Sequence, residues 1–306
     1  MDITKVVIPA AGRGTRFLPL TKSVPKEMLP LLEKPAIQHI IEEAFLSNVK
    51  NYIIINSRGK TALEDYFDDN IDLSLFLKEN NKEALLHTLE KINRTSTFTY
   101  IRQAEQLGLG HAVALAAQSI QPKEYFGVML PDDIIESKSP GLDQLIRIAR
   151  QEKASVIAVQ EVPIECVSSY GIIEIKKHIT PNLFQISHIV EKPQQKDAPS
   201  NLAVVGRYIL SQKIFTSLDH VKTYGSGEIQ LTDAITNMIQ NNEKVFAYKI
   251  QGLRYDIGTP IGWIKAIIGM ALQHPYYAPH VKNFLADIET SNSYVYKPAK
   301  IIQNSL

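Results

Sequence analysis

Cysteine is almost absent from the sequence, which contains only Cys166 among 306 residues. This excludes an internal disulfide framework and a cysteine-rich zinc site. No apolar run approaches the roughly 18–20 residues that a membrane-spanning helix needs, and no basic segment precedes the short apolar stretch at the N-terminus, as it would in a signal peptide. Net charge is also small, because 33 Lys and Arg balance 32 Asp and Glu to give +1. These absences predict a cytoplasmic protein that binds neither nucleic acid nor a membrane.

Several catalytic patterns are missing as well. The eight histidines show no HExxH or HxxH spacing, which argues against a histidine-based zinc site. Cys166 has no basic neighbour to activate a thiolate, and the serines lack the context of a nucleophile elbow. A hydrophobic content of 44% with 21% charged residues is that of an ordinary globular protein. The length allows one large domain or two small ones.

The first 160 residues alternate between the patterns of strands and helices. Short apolar runs predict strands at 4–9, 51–57, 97–103, 125–133 and 154–162. Apolar residues at helical spacing predict helices at 35–49, 60–93, 108–120 and 139–153. This alternation is typical of a mainly parallel sheet that is covered by helices on both faces.

The pattern changes near residue 160. Strands are predicted at 171–175, 183–193, 202–210 and 244–252, and helices at 228–240 and 260–274. The first three strands have no helix between them, which indicates an antiparallel extension. No repeat or Ser/Gly linker separates the two patterns, so the sequence predicts one domain over residues 1–275, followed by an accessory segment at 276–306.

A glycine-rich loop, Ala10–Arg16, directly follows the first predicted strand. Its two glycines allow backbone N–H groups to approach phosphate oxygens, and its two arginines add positive charge. The loop lacks the G-K-[ST] ending of a P-loop, and Phe17 stands where G-x-G-x-x-G has its third glycine. An NAD-dependent oxidoreductase is therefore disfavoured. A tight turn with solvated arginines explains the loop equally well.

Charged residues in two further segments can bind a polyphosphate and its metal ion. Lys26, in the same loop region, offers a point charge for phosphate, unless it is simply an exposed lysine. Asp132 and Asp133 end the predicted strand 125–133, at the edge where open α/β sheets bind ligands. Carboxylates are the ligands that Mg²⁺ prefers. The alternative is a pair of aspartates that cap the next turn.

Nine segments, in this order, carry a family resemblance. They are AAGRGTRFLP (10–19), PKEMLP (25–30) with the helix that follows it, RQAEQLGLGHAV (102–113), LPDDII (130–135), YGIIE (170–174), VEKP (190–193), VVGRYIL (204–210), GEIQLTDAI (227–235) and YDIGTPIGW (255–263). With these segments the chain resembles the nucleotidyltransferases that make NDP-sugars, most closely the bacterial members that use UTP and glucose 1-phosphate. The resemblance spans about residues 3–270.

The resemblance implies a fold and an activity. The fold is a Rossmann-like mixed, mainly parallel sheet flanked by helices, with a nucleotide-binding part at about 1–160 and a small antiparallel sugar-binding extension at about 161–260. The implied reaction forms UDP-glucose and pyrophosphate with Mg²⁺, in a homodimer or homotetramer. Another NDP-sugar pyrophosphorylase, such as a glucose-1-phosphate thymidylyltransferase, remains an alternative. So does a non-catalytic nucleotide sensor, although such a chain is expected to lose the carboxylates and lysines present here.

The resemblance also implies roles for individual residues. The catalytic residues are Arg16, Lys26 and Lys192, and the metal ligands are Asp132 and Asp256. The nucleotide-binding residues are Ala10, Ala11, Gly12, Gly14, Thr15, Glu27, Gln103, Gly108 and Asp132. The sugar-binding residues are Asp133, Gly171, Glu191, Lys192, Gly206 and Arg207.

The side-chain chemistry agrees with several of these roles. The amide of Gln103 has a donor and an acceptor for the edge of a uracil, Glu191 can accept from sugar hydroxyls, and Lys192 can bind the sugar phosphate. Purely structural roles remain as alternatives: a surface charge pair at Glu191 and Lys192, a β-bulge at Gly171 and Gly206, and a surface ion pair at Arg207.

Overall fold

The computed structural model describes residues 1–221 and 227–290. Its strands, in chain order, are β1 (Lys5–Pro9), β2 (Pro30–Leu31), β3 (Lys34–Pro35), β4 (Asn51–Asn56), β5 (Thr97–Arg102), β6 (Tyr125–Met129), β7 (Asp133–Glu136), β8 (Ser155–Glu161), β9 (Gly171–Thr180), β10 (Leu183–Glu191), β11 (Leu202–Ser211), β12 (Val245–Lys249) and β13 (Leu253–Asp256).

The helices are α1 (Ala36–Leu46), α2 (Thr61–Phe67), α3 (Ile71–Glu79), α4 (Glu83–Asn93), α5 (Leu109–Ala114), α6 (Gly141–Glu152), α7 (Ile214–His220), α8 (Leu231–Gln240), α9 (Pro260–Gln273) and α10 (Tyr277–Thr290). Across the described part of the chain, no helix combines the length and apolar character needed to cross a membrane.

Nine strands form the central sheet in the order β5-β4-β1-β6-β11-β8-β12-β10-β9. The pairs of β1 with β4 and β6, β4 with β5, and β8 with β12 are parallel, whereas β10 and β11 run antiparallel to their neighbours. The predicted mixed, mainly parallel sheet flanked by helices is therefore confirmed. β10 and β9 form the antiparallel end of the sheet.

The core lies on both faces of this sheet, because side chains alternate between the faces along each strand. In β1, Val6 and Ile8 pack into one apolar layer and Val7 into the other. Helices α1, α6 and α9 contribute to the first layer and α5, α7 and α8 to the second. Both layers are continuous across the change of pattern near residue 160.

Several predicted boundaries differ from the structure. The predicted helix 60–93 is three helices, α2, α3 and α4, and the predicted helix 108–120 ends its α-helical part at Ala114. Helix α7 was not predicted, and β9 extends to Thr180. The segment after Pro275 forms α10, while residues 291–306 of the predicted accessory segment lie outside the described residues.

The most consequential difference concerns the predicted strand 125–133, which ends at Met129. Pro131 follows, and proline has no N–H to continue a hydrogen-bonded ladder. Asp133 instead opens β7, which pairs antiparallel with β13 in a separate two-stranded ribbon. The two aspartates therefore do not end one strand: Asp132 lies in the turn after β6, and Asp133 is the first residue of β7.

Candidate active site

Two depressions are candidates for the ligand site. A cleft of about 930 Å³ is lined by Arg13, Lys60, Gln103 and their neighbours. A smaller cavity of about 210 Å³ is lined by Arg16 together with residues that follow β6 and residues from the part of the chain after residue 160. The glycine-rich loop contributes to both, since Arg13 lines the cleft and Arg16 lines the cavity.

The glycine-rich loop leaves β1 with two buried residues, Ala10 and Ala11, and then exposes Gly12, Thr15 and Arg16. A glutamine that the sequence did not single out, Gln106, holds the loop. Its Nε2 donates to the Ala11 carbonyl at 2.7 Å, and its Oε1 accepts from Arg13 Nε at 2.8 Å. At the turn itself, the carbonyl of Gly14 accepts from Thr21 Oγ1 at 2.7 Å.

Lys26 and Asp132 form an ion pair, with Nζ 2.7 Å from Oδ2. Burial opposes both charges, but the attraction between them is larger. The neighbouring carboxylates of Asp132 and Glu27 outweigh burial and raise the pKa of Lys26. The Lys26 ammonium likewise outweighs burial and lowers the pKa of Asp132. Both groups are therefore charged at neutral pH, and the structure brings these two predicted site residues together.

Glu27 lies behind Lys26 and is only 1% exposed. Its Oε2 accepts from Lys60 Nζ at 2.8 Å, and the same ammonium donates to the carbonyl of Ala10 at 2.6 Å. Burial lowers the pKa of Lys60, although the carboxylate of Glu27 opposes this. The second oxygen of Glu27 is buried without a hydrogen-bond partner in the described structure. Lys60, which the sequence did not indicate, thus joins the glycine-rich loop to the turn of Lys26.

Gln103 lies in the wall of the larger cleft, beside the start of α5. Its amide nitrogen is 3.0 Å from His111 Nδ1 and 3.5 Å from the carbonyl of Gly108. Gly108 has a φ of +96° and packs against the backbone of Ile229. The predicted base-binding residues are therefore together, with His111 as a direct neighbour.

The ribbon of β7 and β13 brings the acidic residues together. Asp133 pairs with Asp256 in the register of the two strands, and Ile257 N donates to the Asp132 carbonyl at 2.8 Å. A Cβ on Gly258 would lie 3.1 Å from Asp256 Oδ1 and 3.4 Å from Asp132 Oδ2. The two carboxylates thus border one space, which a glycine leaves open.

This space has the donor chemistry of a magnesium site. Mg²⁺ is commonly bound by one or two carboxylates together with water and substrate phosphates. In residues 1–221 and 227–290, no group of three or more Asp, Glu, His or Cys side chains is arranged to hold a metal ion. Asp132 and Asp256 therefore fit a metal ion whose remaining ligands come from a phosphate and water.

Both oxygens of Asp133 are held by other groups of the protein. Oδ1 accepts from Arg254 Nε at 2.5 Å, and Oδ2 accepts from the backbone N–H of Gly206 at 2.8 Å. A Cβ on Gly206 would come within 2.5 Å of Oδ2, so this contact requires glycine. The register of β11 against β8 shifts between Val204 and Tyr208, in agreement with a bulge at this glycine. Burial raises the pKa of Asp133, although Arg254 opposes this.

The structure brings only some of the predicted sugar-binding residues into one cavity. Glu191 lines the smaller cavity, where its Oε2 accepts from Thr232 Oγ1 at 2.9 Å, and Gly171 lies against the same carboxylate. Lys192 lies beside the cavity and outside its lining. Its side chain is 57% exposed, and its Nζ is 3.8 Å from Glu191 Oε1.

The prediction that the Arg207 side chain binds the sugar is wrong, because this side chain has 0% exposure. Its Nη2 and Nε contact Glu43 at 2.7 and 2.9 Å. The remaining hydrogen bonds of the guanidinium go to the carbonyls of Leu130, Asp133 and Gly206. Arg207 therefore supports the wall of the cavity from behind and has no surface with which to contact a sugar.

A comparison with protein families matches residues 5–271 to the model described as Nucleotidyl transferase. The chain is 44% identical to a UTP–glucose-1-phosphate uridylyltransferase of Staphylococcus haemolyticus, over 94% of this chain and 99% of that protein. It is 42% identical to the protein of the same name from Staphylococcus epidermidis, with the same coverage.

The chain is also similar to solved structures of proteins with related names. A UDP-glucose pyrophosphorylase complexed with UDP-glucose is 39% identical, with a TM-score of 0.81 over 89% of this chain and 100% of that one. A UTP-bound UGPase from Acinetobacter baumannii is 37% identical, with a TM-score of 0.85 over 94% of this chain and 100% of that one. A glucose-1-phosphate thymidylyltransferase from Bacillus anthracis shares the fold, at 23% identity and a TM-score of 0.66.

Proposed function

Because the chain belongs to the nucleotidyl transferase family, we propose that it acts as a UTP–glucose-1-phosphate uridylyltransferase. It transfers the uridylyl group of UTP to α-D-glucose 1-phosphate and releases pyrophosphate. The observation that carries this proposal is the arrangement around Gly258. There the carboxylates of Asp132 and Asp256 border one space, with Lys26 bound to Asp132 and the Arg16 guanidinium 3.4 Å from the Gly258 carbonyl.

The reaction needs no general base. An oxygen of the sugar phosphate, already ionised at neutral pH, attacks the α-phosphorus of UTP. A new P–O bond forms there, and the bond from the α-phosphorus to the oxygen bridging to the β-phosphate breaks. The bonding electrons leave with pyrophosphate. The protein contributes by positioning two anions and neutralising their charge, a task for which Arg16 and Lys26 are placed beside the acidic pair.

Nucleotidyl transferases generally use a divalent metal ion, and we propose Mg²⁺ held by Asp132 and Asp256. When bound, the ion neutralises charge on the phosphate oxygens that it contacts. A single ammonium offers three donors, so Lys26 can bind a phosphate oxygen with a donor that Asp132 does not use.

The larger cleft fits the nucleoside and the smaller cavity fits the hexose. In this proposal Gln103, which lines the cleft, and the neighbouring Gly108 recognise the base. Gly12, Gly14 and Thr15, in the same loop as the cleft residue Arg13, bind the phosphates. In the smaller cavity, Glu191 offers a carboxylate for hydroxyl groups. Lys192 is free to turn toward the incoming sugar phosphate because most of its side chain is exposed.

A nucleotide panel tests the proposed activity. With glucose 1-phosphate and Mg²⁺, we expect kcat/KM for UTP to exceed that for dTTP, CTP, ATP or GTP by about 10-fold or more. Pyrophosphate release measures the rate for each nucleotide. A preference for dTTP would favour the thymidylyltransferase alternative, and no release with any nucleotide would favour a binding protein.

The replacement Lys192→Ala tests the sugar-phosphate role. Losing one charge-assisted contact should raise KM for glucose 1-phosphate by about 10-fold and leave KM for UTP within about 2-fold. Initial rates at varied concentrations of each substrate separate the two constants. The matched control is Lys196→Ala, an exposed lysine in the short helical turn that follows. Equal increases of both KM values would contradict the assignment.

The location and assembly of the enzyme remain proposals. A single cysteine and soluble nucleotide substrates support a cytoplasmic location. We further propose a homodimer or homotetramer, which light scattering of the purified protein can test. The apolar side chains that α9 and α10 expose, such as Ile261, Ile264 and Phe284, are the surface to examine.

A further inference from the structure

Arg254, in β13, is a cation that the sequence did not single out and that lies among the acidic residues of the site. Its side chain is only 8% exposed. Nε donates to Asp133 Oδ1 at 2.5 Å, and Nη2 lies 3.4 Å from Asp256 Oδ2. One guanidinium thus contacts the carboxylates that face each other across the ribbon.

The position of this guanidinium is fixed from a second direction. It lies over the ring of Tyr170, 5.3 Å from the ring centre, and the hydroxyl of Tyr170 is 3.4 Å from Asp256 Oδ2. A planar guanidinium presents its donors in a rigid fork and stacks on aromatic rings, which an ammonium cannot do in the same way. Arg254 is therefore shaped to span two carboxylates.

The acidic residues need such a partner because three carboxylates lie close together. Lys26 balances Asp132, and the backbone of Gly206 together with Arg254 holds Asp133. Asp256 is 43% exposed and borders the open space at Gly258. Besides Arg254 and Tyr170, the backbone N–H of Gly258 donates to its Oδ1 at 3.0 Å. Without Arg254, Asp256 would lose the guanidinium beside its Oδ2 and would rotate more readily toward solvent, whether or not Asp133 is charged.

We infer that Arg254 is a positioning residue, which keeps Asp256 turned toward Asp132 so that the two carboxylates can share one divalent cation. This inference rests on the proposed function, since it deepens the role of the same site. Arg254 also lines the smaller cavity, and the role inferred for it is an effect on metal affinity through Asp256, which binding of a metal ion without substrate can measure. Loss of this positioning would weaken metal binding. Loss of the positive charge of Arg254 would by itself strengthen metal binding, because a nearby cation repels the metal ion.

The test measures the binding of Mn²⁺ alone to the intact protein by electron paramagnetic resonance of the free ion. Loss of a group that orients a metal ligand typically weakens metal binding, so we expect the Kd for Mn²⁺ to rise about 10-fold in Arg254→Lys. That variant keeps the positive charge but lacks the planar set of donors that lets a guanidinium contact two carboxylates. Unchanged or tighter binding in Arg254→Lys would overturn the inference, as would the absence of Mn²⁺ binding to the wild-type protein.

A double variant separates position from charge and from folding. Arg254→Met leaves Asp133 buried without its cation and can destabilise the protein, but Arg254→Met with Asp133→Asn restores the net charge of the ribbon. We expect this double variant to bind Mn²⁺ about 10-fold more weakly than the wild type. Binding equal to that of the wild type would show that Arg254 acts through charge, against the inference.

The matched control is Arg147→Met, which removes an arginine from a surface ion pair with Asp143, where the arginine is 59% exposed. We expect its Mn²⁺ affinity to equal that of the wild type. The outcome is also distinguishable from failure of the proposed function. A different nucleotide preference would leave Mn²⁺ binding unaltered, and a failed Mn²⁺ test would leave the preference for UTP intact.

Discussion

Replacement of Asp132 by Asn is expected to lower kcat by about 10³-fold. The substitution keeps the size of the side chain and removes the charge that pairs with Lys26 at 2.7 Å and borders the space at Gly258. An amide oxygen is a weaker ligand for a hard cation than a carboxylate. Pyrophosphate release at saturating UTP, glucose 1-phosphate and Mg²⁺ measures the loss.

The control for this prediction is Asp143→Asn, which removes a carboxylate from the surface pair with Arg147 in α6. Its kcat should equal that of the wild type. A second measurement, UTP binding without metal, should show no loss in Asp132→Asn, because Lys26 is released from its ion pair. If Asp132→Asn kept more than about a tenth of the wild-type kcat, Asp132 would have no central role in the chemistry.

Replacement of Glu43 by Gln is expected to lower the free energy of unfolding by about 3–5 kcal/mol. Glu43, in α1, accepts from Arg207 on both oxygens, and its Oε1 also accepts from Leu142 N at 2.8 Å. The neutral amide leaves a guanidinium with 0% exposure without a counter-charge. Urea denaturation followed by circular dichroism measures the change.

The adjacent residue provides the matched control. Glu42 pairs with Lys34 at 2.8 Å, where the lysine is 40% exposed, so Glu42→Gln should cost no more than about 1 kcal/mol. The two variants differ by one helix position and have the same chemistry. Equal decreases in the free energy of unfolding would show that the buried pair of Arg207 and Glu43 contributes no more to stability than an exposed pair.

The sequence predicted the parts of the site that are contiguous in the chain. The loop Ala10–Arg16 follows β1 directly and Lys26 lies later in the same connection, so their chemistry and their place after a strand end could both be predicted locally. Asp132 was predicted from the same logic, although the structure changes its local setting. The proline at residue 131 is the local signal that the strand cannot continue to residue 133.

Contacts between distant segments could not be predicted in this way. Arg207 and Glu43 are 164 residues apart. Arg207 is the charged residue of an apolar strand and Glu43 follows another glutamate in α1, and charged residues of this kind are normally exposed to solvent. Arg254 and Lys60 depend on partners in other elements, and only the folded chain brings those partners near. The long helical region 60–93 was predicted as one piece because its breaks at Asp68–Asn70 and Asn80–Lys82 contain no proline or glycine.

The position of β11 in the sheet has a consequence for how the chain folds. β11 pairs with β6 on one side and β8 on the other, yet it begins only at Leu202. During synthesis, the edge of β6, with Phe126 and Met129, stays unpaired until about two thirds of the chain has been made. Nascent protein that stalls before this strand emerges presents an unpaired apolar edge. The sheet of the first 160 residues is therefore completed by a strand from the later part of the chain, and the fold closes only when both parts have been made.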